Sequence, residues 1–137
     1  MLILRLRRKR KSCYGMESST LVSKIKRGDL YRLDWTPGRG SEQTGIRPAL
    51  VIQYDSGNNS PRYTNTIVVA VSSQAKPAPF HVEIKPDVGN GLATVSFVKC
   101  EQVITVSKDR LTEYIGRLSA SDMEAVDDAL KGVLDLP

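Results

Sequence analysis

The run TIVVAVSS, Thr66 to Ser73, sets the firmest limit on how this chain folds. It is apolar without alternation and rich in β-branched residues. That pattern reads as a strand buried on both faces. Such a strand needs cover above and below, so the rest of the chain must supply it. Turn-rich sequence brackets the run, with DSGNNSPRYTN before it and AKPAPF after it.

Other segments share the β character. GDLYRLDW sets Leu30, Arg32 and Asp34 against Tyr31, Leu33 and Trp35, the period of two of a half-buried strand. After the long, glycine-rich loop TPGRGSEQTG comes a second strand, PALVIQY. HVEIKP is a short edge strand ended by Pro86, and DVGNG is a tight turn. ATVSFVKCEQVITVS supplies one long strand or two, with Lys99-Cys100-Glu101-Gln102 as a bend. Short strands joined by glycine- and proline-rich connections predict a small barrel or sandwich. KDRLTEYIG is expected to form one or two short helical turns.

The period then changes. Met123, Val126, Leu130, Val133 and Leu134 recur at helical spacing, while Asp122, Asp127, Asp128 and Lys131 face away. Ser121 with Glu124 makes a capping-box signal, and Ser119 competes as N-cap. The expected fold is mainly β with a C-terminal helix lying across the barrel. At 137 residues the chain suits one domain, residues 24–137, behind a basic N-terminal extension.

The formal charge of +5 is unevenly placed. Arg5, Arg7, Arg8, Lys9, Arg10 and Lys11 lie in residues 1–15, which hold no acid. Residues 1–23 lack a sustained period and read as disordered, and Met16 offers a second start. The last stretch is acidic, with Asp122, Glu124, Asp127, Asp128 and Asp135 against Lys131 alone. The body between is mildly basic, compatible with a polyanionic partner. Cys13 and Cys100 show no CxxC spacing and fit reduced thiols in a cytoplasmic protein. No apolar run approaches the roughly 20 residues of a membrane span. The MLILRL start carries its charges after the apolar part, unlike a signal peptide.

The chemistry narrows by subtraction. One histidine, His81, and two distant cysteines make a poor metal-ligand set. There is no GxSxG, P-loop or GxGxxG, and a two-histidine ribonuclease needs a second imidazole. What remains is polar residues at strand ends. Arg47 opens the second strand, and Ser72, Ser73 and Gln74 close the third. If these strands pair antiparallel, Arg47 comes beside Ser72. A guanidinium next to a hydroxyl in a partly buried cleft suits a phosphate, because Arg offers a planar fork of donors. From charge counting alone, a salt bridge from Arg47 to Glu42 or Asp55 is the plainer reading.

RGDLYRLDW followed by GSEQTGIRPALVIQYD resembles the opening of MazF/PemK-type toxins, the toxin halves of bacterial toxin–antitoxin pairs. The resemblance continues through VVAVSSQ, PFHVEI, CEQVITVSKDRL and AVDDALKGVLDL, covering Lys26 to Leu136. It implies a small SH3-like (CcdB/MazF-type) β-barrel with a C-terminal helix, acting as a homodimer in the cytoplasm. It also implies cleavage of single-stranded RNA without metal or other cofactor, and neutralisation by an antitoxin with an acidic, disordered C-terminal segment. The family's catalytic arginine falls on Arg47 and its catalytic threonine on Ser72. Serine keeps the hydroxyl but loses the methyl that restricts its rotamer. Ser41, Glu42 and Gln43 match the loop that covers the RNA, and Ser73 and Gln74 adjoin Ser72 in the substrate-binding set. Tyr54, where many members are polar, either stacks on a base or packs in the core. His81 is expected at the rim of the cleft rather than as a proton carrier. CcdB-like toxins bind DNA gyrase on the same fold, but the GSEQ-x-G-x-RP string favours the ribonuclease. An inert SH3-like module would need the clustered aromatics of a proline-binding groove.

Overall fold

A computed structural model describes residues 24–137. The basic extension and Cys13 lie outside the described residues. Six strands form one antiparallel sheet: β1 (Asp29–Asp34), β2 (Ile46–Val51), β3 (Asn65–Ser72), β4 (His81–Ile84), β5 (Ser96–Ser107) and β6 (Glu113–Arg117). Their spatial order is β4-β5-β3-β2-β1-β6, so the doubly buried run occupies the middle of the sheet. Helix α1 (Asp55–Asn58) is a single turn inside the expected loop, and α2 (Ala120–Val133) follows β6.

The pleat sends alternate residues of β3 into two cores. Val69 and Val71 join Leu30, Leu50, Ile84, Val98 and Cys100 beneath Val126 and Leu130 of α2. Val68 and Ala70 join Leu33, Trp35, Ala49, Val51 and Val106 on the other face. At about 25 cal/mol per Å² of apolar surface, each fully buried valine or leucine contributes about 1.5–3 kcal/mol, which is why one polar substitution in β3 would be costly.

The sheet curls into a half-barrel, and the β4–β5 loop closes it against β6. Arg117 N–H donates to the Gly89 carbonyl at 2.9 Å. The approach is tight enough to demand glycine on both sides. A Cβ on Gly91, which has φ +67°, would lie 2.2 Å from the Ile115 carbonyl oxygen. A Cβ on Gly116 would lie 2.4 Å from the Asn90 carbonyl carbon.

Four local expectations need correction. TEYIG is not helical: only Lys108–Arg110 makes a 3₁₀ turn, and β6 follows. The edge of β1 is what recruits it, with Tyr31 opposite Tyr114 and their rings 5.5 Å apart edge to face. β2 starts two residues earlier than PALVIQY and stops at Val51, because Gln53 turns inward to Asn58 and the Asn65 carbonyl. Ser119 is the N-cap of α2, accepting from Asp122 N–H at 3.1 Å. On that helix Leu134 is exposed, and Asp127 is partly buried in an ion pair with Arg27 at 2.6 Å.

The expected bend in ATVSFVKCEQVITVS is a bulge within one long strand. Ala70 faces Lys99 but Val69 faces Val103, so Cys100, Glu101 and Gln102 have no partner on β3. Bulges re-aim side chains where a regular ladder could not. Here Glu101 and Gln102 turn towards the head of β2 and the tail of β3.

Candidate active site

β2 and β3 pair antiparallel with Ala49 opposite Ala70. Two residues beyond this pair, at the same end of the two strands, stand Arg47 and Ser72. Arg47 is partly buried and opposes Leu33 on its other side. No hydrogen bond or ion pair engages its guanidinium among the described residues. The plainer reading fails for both proposed acids. Glu42 is turned to the Arg39 N–H at 2.8 Å. Asp55 stands beyond the far end of β2, accepting from Arg27 N–H at 2.7 Å.

Beside this pair opens a cleft of about 250 Å³, lined by Ser41, Ser72, Gln74, Ala75, His81, Lys99, Glu101 and Gln102. Ser72 is 4% exposed, and its Oγ accepts from Gln74 N–H at 3.0 Å. Its hydroxyl proton remains available to a ligand. Lys99 enters from β5, opposite His81 of β4 and Ala70 of β3. Burial, helped by the nearby Arg47 charge and opposed by Glu101, lowers its pKa below the usual lysine value.

Glu101 supplies the opposite charge. Burial pushes its carboxyl up, but the hydrogen bond from His81 and the charges of His81 and Lys99 prevail and hold it below the usual glutamate value. His81 Nε2 lies 3.0 Å from Glu101 Oε2, and its Nδ1 lies 2.7 Å from the Lys76 carbonyl oxygen. His81 thus lines the cleft in contact with Glu101. Cys100, between Lys99 and Glu101, points into the core, and burial raises its thiol pKa to about 11.

The structure brings together Ser41, Ser72, Gln74 and His81, with Arg47 adjoining. It sets the other expected residues apart. Gln43 is 6% exposed, and its side-chain amide donates to the Val71 carbonyl at 2.8 Å, so it faces inward instead of towards a ligand. Glu42 and Ser73 are exposed outside the lining. Tyr54 is 68% exposed and caps α1 at the end of β2 opposite Arg47, which removes it from the core.

Sequence reasoning missed Lys99, Glu101 and Gln102 as site residues. The signal was present: two charges and an amide interrupt an apolar β run, around inward Cys100. Among the described residues no three His, Cys, Asp or Glu side chains gather as a metal-ligand set. No helix there is long and apolar enough to cross a membrane.

The chain shares its family and its fold with known proteins. Residues 26–134 match the family described as PemK-like, MazF-like toxin of type II toxin-antitoxin system. The chain is 44% identical over 110 residues to Endoribonuclease EndoA of Bacillus subtilis, covering 78% of this chain and 91% of that protein. It resembles the crystal structure of MazF from Deinococcus radiodurans with a TM-score of 0.70 and 27% identity, over 83% of this chain and 99% of that one. An endoribonuclease in complex with its cognate antitoxin, from Mycobacterial species, matches with a TM-score of 0.67 and 24% identity, over 82% of this chain and 97% of that one.

Proposed function

The chain belongs to the PemK-like, MazF-like toxin family, and from that premise we propose that it is an endoribonuclease that cuts single-stranded RNA beside Arg47 and Ser72. The observation that carries the reading is the uncommitted guanidinium of Arg47, at the same end of the paired β2 and β3 as the buried Ser72 hydroxyl. A buried-edge arginine without a partner is costly unless a ligand supplies the opposite charge.

The reaction is a transesterification. The RNA 2′-oxygen bonds to the adjacent phosphorus, the bond to the 5′-oxygen breaks, and the ends are a 2′,3′-cyclic phosphate and a 5′-hydroxyl. The nucleophile comes from the substrate, so the protein supplies charge and proton acceptors and donors. Arg47 and Lys99 face the extra negative charge that grows on the phosphoryl oxygens, and donors so placed contribute a few kcal/mol each, about 2.7–4 in measured cases. Ser72 donates to one of those oxygens. Glu101, the one carboxylate lining the cleft, takes the 2′-proton. The lowered pKa of Lys99 makes its ammonium a readier donor to the departing 5′-oxygen. DNA lacks the 2′-hydroxyl and cannot react this way.

In this reading the protein acts in the cytoplasm as a homodimer and is neutralised by an antitoxin. An acidic, disordered antitoxin segment that folds on binding can fill a groove built for a phosphate backbone. The test is incubation of the purified protein with a long defined RNA in EDTA, followed by chemical identification of the cut ends. Cyclic phosphate and 5′-hydroxyl ends support the reading. Ends bearing 5′-phosphate would mean water, not the 2′-hydroxyl, is the nucleophile.

A further inference from the structure

The β1–β2 loop, residues 35–45, carries Ser41 into the cleft wall. Its own hydrogen bonds do not fix it there. At the base, Trp35 N–H donates to the Gly45 carbonyl at 2.8 Å, and Gly45 N–H donates to Thr36 Oγ1 at 3.1 Å. At the tip, Glu42 N–H donates to the Arg39 carbonyl at 3.0 Å, and Arg39 N–H donates to the Glu42 carboxylate at 2.8 Å. Both sets close the loop on itself.

Two glutamines tie it to the barrel. Gln43 Nε2 reaches the Val71 carbonyl at 2.8 Å. Gln102 Oε1 accepts from Gln43 N–H at 2.7 Å, while its Nε2 donates to the Ser41 carbonyl at 3.1 Å. The partners fix which end of the Gln102 amide is which: the N–H needs the oxygen and the carbonyl needs the NH₂. One amide bridging the carbonyl of residue 41 and the N–H of residue 43 mimics one residue of a parallel strand, whose own N–H and C=O reach those two groups of its neighbour. Gln102 lies in the β5 bulge, where its side chain is free of the β3 ladder and faces the loop edge.

We infer that Gln102 is a positioning residue that clamps the 41–43 limb of the loop over the cleft, and so sets how firmly RNA is held beside Arg47 and Ser72. The inference rests on the ribonuclease reading for its consequence, and on the hydrogen bonds alone for its existence. The reacting groups stand on strands, so loosening the loop weakens substrate binding more than turnover.

The test compares the wild-type protein with Gln102→Met, which conserves volume and removes both bonds, and Gln102→Glu, which keeps only the acceptor. Hydrogen exchange in the RNA-free protein should be at least about tenfold faster at the Gln43 amide in Gln102→Met, the scale of one lost hydrogen bond. Gln102→Glu should fall between the two. With RNA, Gln102→Met should raise KM about tenfold and change kcat by less than about threefold, and Gln102→Glu should recover part of the KM loss. Unfolding midpoints of all three report folding independently. Equal Gln43 exchange in wild type and Gln102→Met overturns the clamp, whether or not RNA is cut. Faster exchange with unchanged KM overturns its positioning role. RNA left intact by the wild type, with faster exchange in the variant, overturns the ribonuclease reading and the role in RNA holding, and leaves the clamp itself standing.

Discussion

Ser72 Oγ accepts the backbone N–H of Gln74 at 3.0 Å, and this bond orients a hydroxyl that no methyl restrains. The family threonine gains its preferred rotamer from β-branching. Here a turn at the end of β3 does the same work, and the hydroxyl proton is left without an acceptor among the described residues. Ser72→Thr should therefore preserve or raise cleavage. Ser72→Ala should lower kcat at least about tenfold, the scale of a lost transition-state hydrogen bond. Steady-state cleavage of a fluorogenic RNA decides it. Equal rates for Ser72→Ala and wild type would remove Ser72 from the reaction.

Arg47→Ala should reduce kcat by about a hundredfold or more with the unfolding midpoint nearly unchanged, because the guanidinium has no internal partner to lose. Arg47→Lys should restore only part of the rate, since an ammonium cannot present the fork of donors. A folded Arg47→Ala protein that cuts at the wild-type rate would sink the assignment.

The pH profile follows from Glu101. Its carboxyl is held below the usual glutamate value, so it stays ionised, and competent as a base, into mildly acid solution. The acidic limb of kcat/KM should lie below the ordinary carboxylate range. His81→Gln removes the charge and the bond that lower it, and should move that limb to higher pH. Stability follows the same sign: the contribution from Glu101 is complete above the unfolded value and fades as pH falls through the folded one. An acidic limb that does not move in His81→Gln contradicts the role given to this pair.

Lys108 gives the same sign in a more alkaline window. Its Nζ donates to the carbonyls of Gly57 at 3.0 Å and Ser60 at 3.3 Å, and burial lowers its pKa to about 8. An unfolded lysine holds its proton to about pH 10.4, so between about 8 and 10.4 the unfolded state binds more protons. This group makes the fold more stable as pH rises through that window. Urea midpoints taken at both ends of the window should show a rise in the wild type that Lys108→Met lacks; parallel curves for the two proteins would refute it.

Closure of the half-barrel depends on Gly116. An added Cβ would lie 2.5 Å from the Asn90 oxygen and 2.6 Å from the Gly89 oxygen, both backbone atoms. Gly116→Ala should destabilise by about 1–3 kcal/mol or more, the usual cost of overpacking a fixed site. Denaturant unfolding measures this, and a loss within about 0.5 kcal/mol would show that the β4–β5 loop yields easily.

The central strand and the terminal helix were legible because local period and burial agree there. Val68 to Val71 are buried on alternate faces, and Val126 and Leu130 sit under the sheet as spaced. The antiparallel pairing that puts Arg47 and Ser72 at one end of β2 and β3 was legible too, because two apolar runs joined by a turn-rich loop pair that way. What escaped depended on distant partners. Glu113–Arg117 becomes a strand because β1 offers an open edge. Gln43 turns inward because Val71 and Gln102, far along the chain, present an acceptor on either side of it. Glu101 and Gln102 reach the cleft through a bulge beside the paired Lys99, and a bulge is a misfit between two strands that neither sequence states alone.

The most direct measurement uses two RNAs identical except for one 2′-deoxy nucleotide at the mapped cut site, each incubated with the purified protein in EDTA. Cleavage of the all-ribose strand and survival of the substituted one is the predicted result, since the missing hydroxyl is the nucleophile. Equal cleavage of both strands, or cleavage of neither by folded protein, would contradict it.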